Sequence, residues 1–256
     1  MRSYVPNTES ERKAMLQELG LSKMEELFSD IPSALKLKRP LDLLGGKSET
    51  EVRRLFKSLA ADCSLSLPIF RGAGAYRHYI PSSVPKLASH SAFYTAYTPY
   101  QPEMSQGMLQ AIFEYQTLIC QLTGLDASNA SVYDGASAAA EAMLMMRDIK
   151  RKRKILYSAG LHPDVRQTLK TYARFADLTL VEIPLGEDGL TDRNQLMEQS
   201  EDAAGYILAV PNYYGCIEDQ SEIAALVHER NALMVSYVNP LSLGILKRPG
   251  DCGADI

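Results

Sequence analysis

The sequence is short of concentrated positive charge, of clustered cysteine and of long apolar runs, and each shortage removes a class of function. Its net charge is −4 and its isoelectric point is near 5.7, whereas a nucleic-acid surface needs a concentrated basic face to displace phosphate counterions. Cations gather only at Lys150-Arg151-Lys152-Arg153-Lys154, where a helix is expected to end and where they complement its carbonyl-rich terminus on a solvated face. Nucleic acid is not an expected partner. The four cysteines, Cys63, Cys120, Cys216 and Cys252, are far apart, with no C-x-x-C pair and no histidine at ligand spacing. That argues against a metal site and a disulfide framework, and for a reducing compartment. Cys120 falls on an apolar helical stretch and reads as a small hydrophobe. No segment approaches the roughly 20 uninterrupted apolar residues that span a bilayer, and the opening MRSYVPNTESERKAM has no apolar run for a signal peptide. A cytoplasmic protein with no membrane partner is expected.

What is present is the composition of an ordinary globular chain. Its 256 residues are 46% hydrophobic and 23% charged, enough to bury a full core. The first hundred residues differ from the rest. Thr8 with Glu11, Ser22 with Glu25, and Ser48 with Glu51 have the spacing of capping boxes and predict three short helices, with Gly20 and Gly45-Gly46 as punctuation. Between Leu65 and Pro102 proline, glycine, serine and tyrosine crowd together without periodicity. So long an irregular stretch is expected to be functional or covered by a partner. The organisation predicted is an arm over 1–104, helical and then irregular and aromatic-rich, followed by an α/β domain over 105–256.

From Ser105 the pattern becomes regular. Met108, Leu109, Ile112, Tyr115, Ile119 and Leu122 follow helical spacing, with Ser105 as the expected cap and Gly124 beyond the end. A second helix is predicted over 135–150. Short strands are expected at 155–157, 178–183, 206–210 and 233–238, separated by helices near 163–175, 191–200 and 219–231. Strands alternating with helices mean a parallel sheet covered on both faces. Gly253-Ala254-Asp255-Ile256 reads as the start of another buried strand with nothing after it to cover it, so a truncated α/β domain is expected.

A sheet of this kind holds its ligand at the carboxyl ends of its strands, often with a phosphate at a helix N-terminus. Gly72-Ala73-Gly74-Ala75-Tyr76-Arg77 has only a superficial likeness to a dinucleotide fingerprint, with Arg77 at the third glycine position. Tyr133-Asp134-Gly135-Ala136-Ser137-Ala138 opens a helix with an acidic cap, small residues and a hydroxyl. That form lets backbone N–H groups approach an anion, and it equally describes a capped helix with small packing residues. Asn212 stands at a strand end, where it either bonds a ligand or forms the turn before Tyr213-Tyr214-Gly215. His90 and His228 read as surface or helix residues.

Five motifs carry a family resemblance. Gly72 to Pro81, Thr95-Ala96-Tyr97-Thr98-Pro99-Tyr100-Gln101-Pro102-Glu103, Tyr133 to Ala138, Pro211-Asn212-Tyr213-Tyr214-Gly215 and Asn239-Pro240-Leu241-Ser242-Leu243-Gly244 resemble, in order, motifs of the glycine decarboxylase P-protein family of the glycine cleavage system. The opening Tyr4-Val5-Pro6-Asn7-Thr8 favours the separate subunit 1 of the two-subunit form over the N-terminal half of a fused enzyme. The resemblance implies a fold type I large domain of the pyridoxal-phosphate (PLP) transferase kind, with the small C-terminal domain absent. It also implies glycine as substrate, the lipoyl H-protein as acceptor, and a subunit 2 that holds the cofactor. Such enzymes use the cofactor as an electron sink while CO₂ leaves. His162 stands where a ring stacking on PLP is often placed, and Asp134, Gly135, Ala136 and Ser137 where the phosphate cup would be, but Val238-Asn239-Pro240 replaces the acidic partner of the pyridine nitrogen and no Schiff-base lysine follows. No PLP covalently bound to this chain is therefore expected. Tyr97, Tyr100, Gln101, Glu103 and His78 are the candidates for completing the active site of subunit 2. Two other readings stay open: a purely structural partner of subunit 2, and a self-sufficient fold type I enzyme of amino-acid metabolism.

Overall fold

The computed structural model describes residues 7–63, 68, 78–94 and 98–256, as two compact units, 1–68 and 69–256. In the first, α1 (Glu9–Glu18) and α2 (Glu49–Asp62) begin at Thr8 and Ser48, whose hydroxyls accept the N–H of Glu11 and Glu51 while those glutamates accept the N–H of the cap. Two orphan donors are satisfied at each start, as the sequence predicts. The Ser22–Glu25 box does not form: the Ser22 hydroxyl donates instead to Glu26 Oε1 at 2.5 Å, and Met24–Phe28 is a 3₁₀ turn. The turn begins one residue later than the pattern predicts, with Lys23 at the N-cap position, so Ser22 lies outside it. No described residue of this unit is buried.

In the second unit the described residues 78–94 contain α3 (Ser83–Ala88) and a 3₁₀ turn at Ser91–Phe93, where the composition suggests no regular structure. Both are too short to impose a readable period. Next, α4 (Pro102–Thr123) starts three residues before the predicted cap: Pro102 occupies the first turn, where its missing N–H costs nothing. Ser105 is a buried kink inside that helix, with φ −121° and ψ 22°, and Gly124 ends it at φ 76°.

The remainder follows the predicted alternation. The elements are α5 (Gly135–Lys150), β1 (Lys154–Ser158), α6 (Pro163–Ala176), β2 (Thr179–Ile183), α7 (Arg193–Gln199), β3 (Ala203–Ala209), α8 (Gln220–Glu229) and β4 (Leu233–Tyr237). The strands form a four-stranded sheet in the order β2-β1-β3-β4, every pair parallel. Because side chains alternate across a strand, β3 divides the core. Tyr206, Leu208 and Val210 pack towards Leu196 of α7 and Ile223 and Val227 of α8. Ala204, Ile207 and Ala209 pack towards Met143 and Met146 of α5 and Leu169 of α6. Every residue of β3 is buried, as a central strand covered on both faces must be. The Asp255 N–H donates to the Met234 carbonyl and the Ser236 N–H to the Ile256 carbonyl, each at 2.9 Å, so the final residues pair with β4.

The basic run lies just past α5. Arg151 takes a left-handed conformation at the C-cap, Lys150 donates to Asn231 Oδ1 at 2.8 Å, Lys152 to the Ala203 carbonyl at 3.2 Å, and Arg153 pairs with Asp177. These cations are tied to the fold. Among the described residues no helix is long and apolar enough to cross a membrane, and no group of His, Cys, Asp and Glu is arranged to hold a metal ion.

Candidate functional site

The carboxyl ends of β1, β3 and β4 open onto a cavity of about 660 Å³, whose fourth wall is the N-terminus of α5. Each strand delivers one wall through a local device. After β1, His162 caps α6 by accepting the Asp164 N–H on Nδ1 at 3.1 Å, with Pro163 preset for the first turn. After β3 comes Val210, a cis peptide to Pro211, and the Asn212–Gly215 turn, where Gly215 has φ 86°. The Tyr213 ring meets the His162 ring edge-on, centroids 5.0 Å apart at 87°, an arrangement that places a positive ring edge on a negative face. After β4, Asn239 caps a 3₁₀ turn by accepting the Leu241 N–H at 3.1 Å.

At α5 the Asp134 carboxylate accepts the Ser137 N–H at 2.7 Å. The Ser137 N–H, and with it the Ser137 side chain, holds the Asp134 carboxyl below the usual carboxylate range, because donors to the anion favour it. Gly135 lets the Tyr237 hydroxyl pack over the first turn, since a Cβ there would force that ring to move.

The sequence candidates separate into two sets. Asp134, Gly135, Ala136, His162 and Asn212 all line the cavity, and Ser137 stands beside it through its N–H. Asn212 also braces the loops around it: Oδ1 accepts from the N–H of Tyr214 at 3.0 Å and of Cys216 at 3.1 Å, and Nδ2 donates to the Gly189 carbonyl at 2.8 Å. The turn expected of Asn212 is formed, and the residue lines the cavity as well. Tyr100, Gln101, Glu103 and His78 are exposed and do not line the cavity, and Tyr97 lies outside the described residues. His90, read as a surface residue, is exposed and caps its 3₁₀ turn by accepting the Ala92 N–H. His228 pairs with Asp255 at 2.8 Å.

Tyr237 and a buried cluster around Glu218 carry no signal in local spacing. Glu218, 6% exposed, accepts the Thr191 N–H at 3.0 Å and the Thr191 hydroxyl at 2.9 Å, and the Thr191 oxygen in turn accepts from the Tyr206 hydroxyl at 2.9 Å. The chain runs from β3 through the Leu185–Thr191 bridge to the start of α8. Its partners lie 15 and 27 residues apart, so no local spacing marks it. Burial raises the Glu218 carboxyl above its ordinary value of 4.5, against the lowering effect of the Thr191 bonds. The folded chain thus holds this proton more tightly than the unfolded chain. The stability contributed is full below 4.5 and is lost as pH rises through the raised folded value. Glu218→Gln, which does not titrate, is expected to flatten that part of the stability curve. Urea unfolding at about pH 4 and about pH 7 reads it, and an unchanged slope in the variant would show that Glu218 is not its source.

The four-stranded parallel sheet covered on both faces, with a pocket at its carboxyl ends bounded by a helix N-terminus, has the α/β fold seen in the large domain of fold type I enzymes. A sphingosine-1-phosphate lyase from Burkholderia pseudomallei shares this fold, with a TM-score of 0.59 at 14% identity over 80% of this chain and 50% of its own. The chain belongs to the glycine cleavage system P-protein family, whose profile matches residues 2–256. It is 50% identical over 256 residues to a probable glycine dehydrogenase (decarboxylating) subunit 1 of Carboxydothermus hydrogenoformans, and 49% identical over 257 residues to that of Desulforamulus reducens. Each match covers 99% of this chain and 57% of the relative's length. A crystal structure of glycine decarboxylase (P-protein) of the glycine cleavage system in inhibitor-bound form matches with a TM-score of 0.84 at 39% identity, over 99% of this chain and 57% of that one.

Proposed function

We propose that this chain is part of subunit 1 of a two-subunit glycine decarboxylase, working against a subunit 2 that carries PLP. Glycine is the substrate and the lipoyl arm of the H-protein receives the aminomethyl group. The observation that carries this is the likeness along the whole chain to the P-protein, in sequence and in fold together.

The described residues of this cavity do not by themselves fit the cofactor. No lysine lines it among them. The residue at the end of β4 is a neutral Asn239 with its oxygen already accepting the Leu241 N–H, and a neutral amide does not hold a pyridine nitrogen protonated as a carboxylate does. No chemical step is therefore assigned to this pocket. The contribution proposed for this chain is to its partner's site. Tyr79, Tyr94, Tyr100 and Met104 are each at least 75% exposed, with Gln101 and Glu103 beside them. Tyrosine and methionine are enriched, and lone charges depleted, where subunits meet.

Co-expression with subunit 2 and a measurement of glycine-dependent CO₂ exchange test the reading. The pair is expected to be active and each chain inactive alone. Exchange by this chain alone would establish the self-sufficient alternative. Tyr100→Ala then separates the remaining roles: normal assembly with normal turnover would mean that Tyr100 adds nothing to the partner's chemistry, and would favour a purely structural subunit.

A further inference from the structure

The N-terminus of α5 is the feature of the cavity most suited to an anion. Backbone N–H groups point outward there, the helix dipole favours negative charge, and the small residues Gly135 and Ala136 allow close approach. Yet the position is already taken. A phosphate oxygen bound to the Ser137 N–H must lie roughly 2.9 Å from that nitrogen, and Asp134 Oδ1 sits there at 2.7 Å. Two oxygens cannot share the spot, and both would be negatively charged.

We infer that Asp134 is a phosphate-excluding residue: its carboxylate fills the anion position of α5 and closes this pocket to phosphate monoesters. The surroundings reinforce it. Asp164 also lines the cavity and, among the described residues, no Lys or Arg does so to offset a second anion. Asp134 is held ionised by its bond to Ser137, so exclusion persists through the neutral pH range. Within the proposed function, Asp134 would keep the cofactor's phosphate from lodging in the wrong subunit.

The test is a titration of the backbone amide resonances of Gly135, Ala136 and Ser137 in this chain with inorganic phosphate, and then with pyridoxine 5′-phosphate, which has no aldehyde to modify lysines. The original chain is expected to show no saturable shift. Asp134→Gly removes both the charge and the occupying oxygen while keeping a residue tolerated at an N-cap, and is expected to show saturable shifts with both probes, at least about tenfold tighter than any binding by the original chain. Asp134→Asn keeps the cap oxygen and loses only the charge, so it should gain less; it also serves as the variant if Asp134→Gly folds poorly. Saturable binding by the original chain at the variants' affinity would overturn the assignment, as would two folded variants that remain silent. No glycine turnover is measured, so failure here and failure of the proposed activity are separate results.

Discussion

Gly205→Val is expected to cost this protein more stability than any other single substitution considered for it. Gly205 sits in the middle of β3, hydrogen-bonded between Ile155 of β1 and Leu233 of β4. A Cβ there would collide with two atoms at once, the Met146 sulfur of α5 and the Leu233 carbonyl oxygen of β4. The sulfur ends a flexible side chain and could move. The carbonyl cannot, because shifting it breaks the ladder between β3 and β4. Overpacking a well-filled core costs about 1–3 kcal/mol and occasionally more. With backbone as the obstacle we expect about 3 kcal/mol for Gly205→Ala and a larger loss for valine. For a protein of this size that lowers the melting temperature by roughly 10 °C. Thermal and urea unfolding of both variants decides it, and an alanine variant as stable as the parent would mean that β3 and α5 have slack the structure does not contain.

Asn212→Ala should be the next most damaging change, for the opposite reason. The residue is 5% exposed, and its amide satisfies two N–H groups and one carbonyl of the surrounding loops. Alanine leaves all three without that partner. A buried polar group deprived of its hydrogen bond costs about 1–3 kcal/mol, and solvent reaching the turn recovers part of it, so we expect a loss of about 3 kcal/mol in total. The consequence extends into the cavity, since the same turn carries Tyr213, whose ring abuts His162. Asn212→Asp is the useful contrast. It keeps the acceptor for Tyr214 and Cys216 but loses the donor to Gly189 and sets a carboxylate against a carbonyl. It should fall between alanine and the parent in urea unfolding. An alanine variant with parental stability would show that the Asn212 amide does not hold the turn.

Much of the site was legible in the sequence because it was local. Asp134 is three residues from the N–H it caps, as a capping residue must be, and His162 and Asn239 each cap two residues ahead. Such bonds are written in short spacings. The Ser22–Glu25 pair shows the limit even there, since the same residue types served a 3₁₀ turn with a different partner. The kink at Ser105 is a similar case: a hydroxyl residue before a periodic run reads as a cap, but Pro102 had already begun the helix.

By itself the sequence determined the alternation of strands and helices, the double cover of a parallel sheet, the capped start of α5 and the family resemblance, because these follow from periodicity and from contiguous motifs. Only the tertiary structure decided that the Asn212 amide reaches the Gly189 carbonyl, that Tyr237 rests over Gly135, and that Glu218, Thr191 and Tyr206 form one buried chain. The physical reason is the same in each case. These contacts join residues far apart along the chain, and the parallel sheet brings them together by stacking the carboxyl ends of β1, β3 and β4 side by side; no period or spacing in the sequence carries that distance.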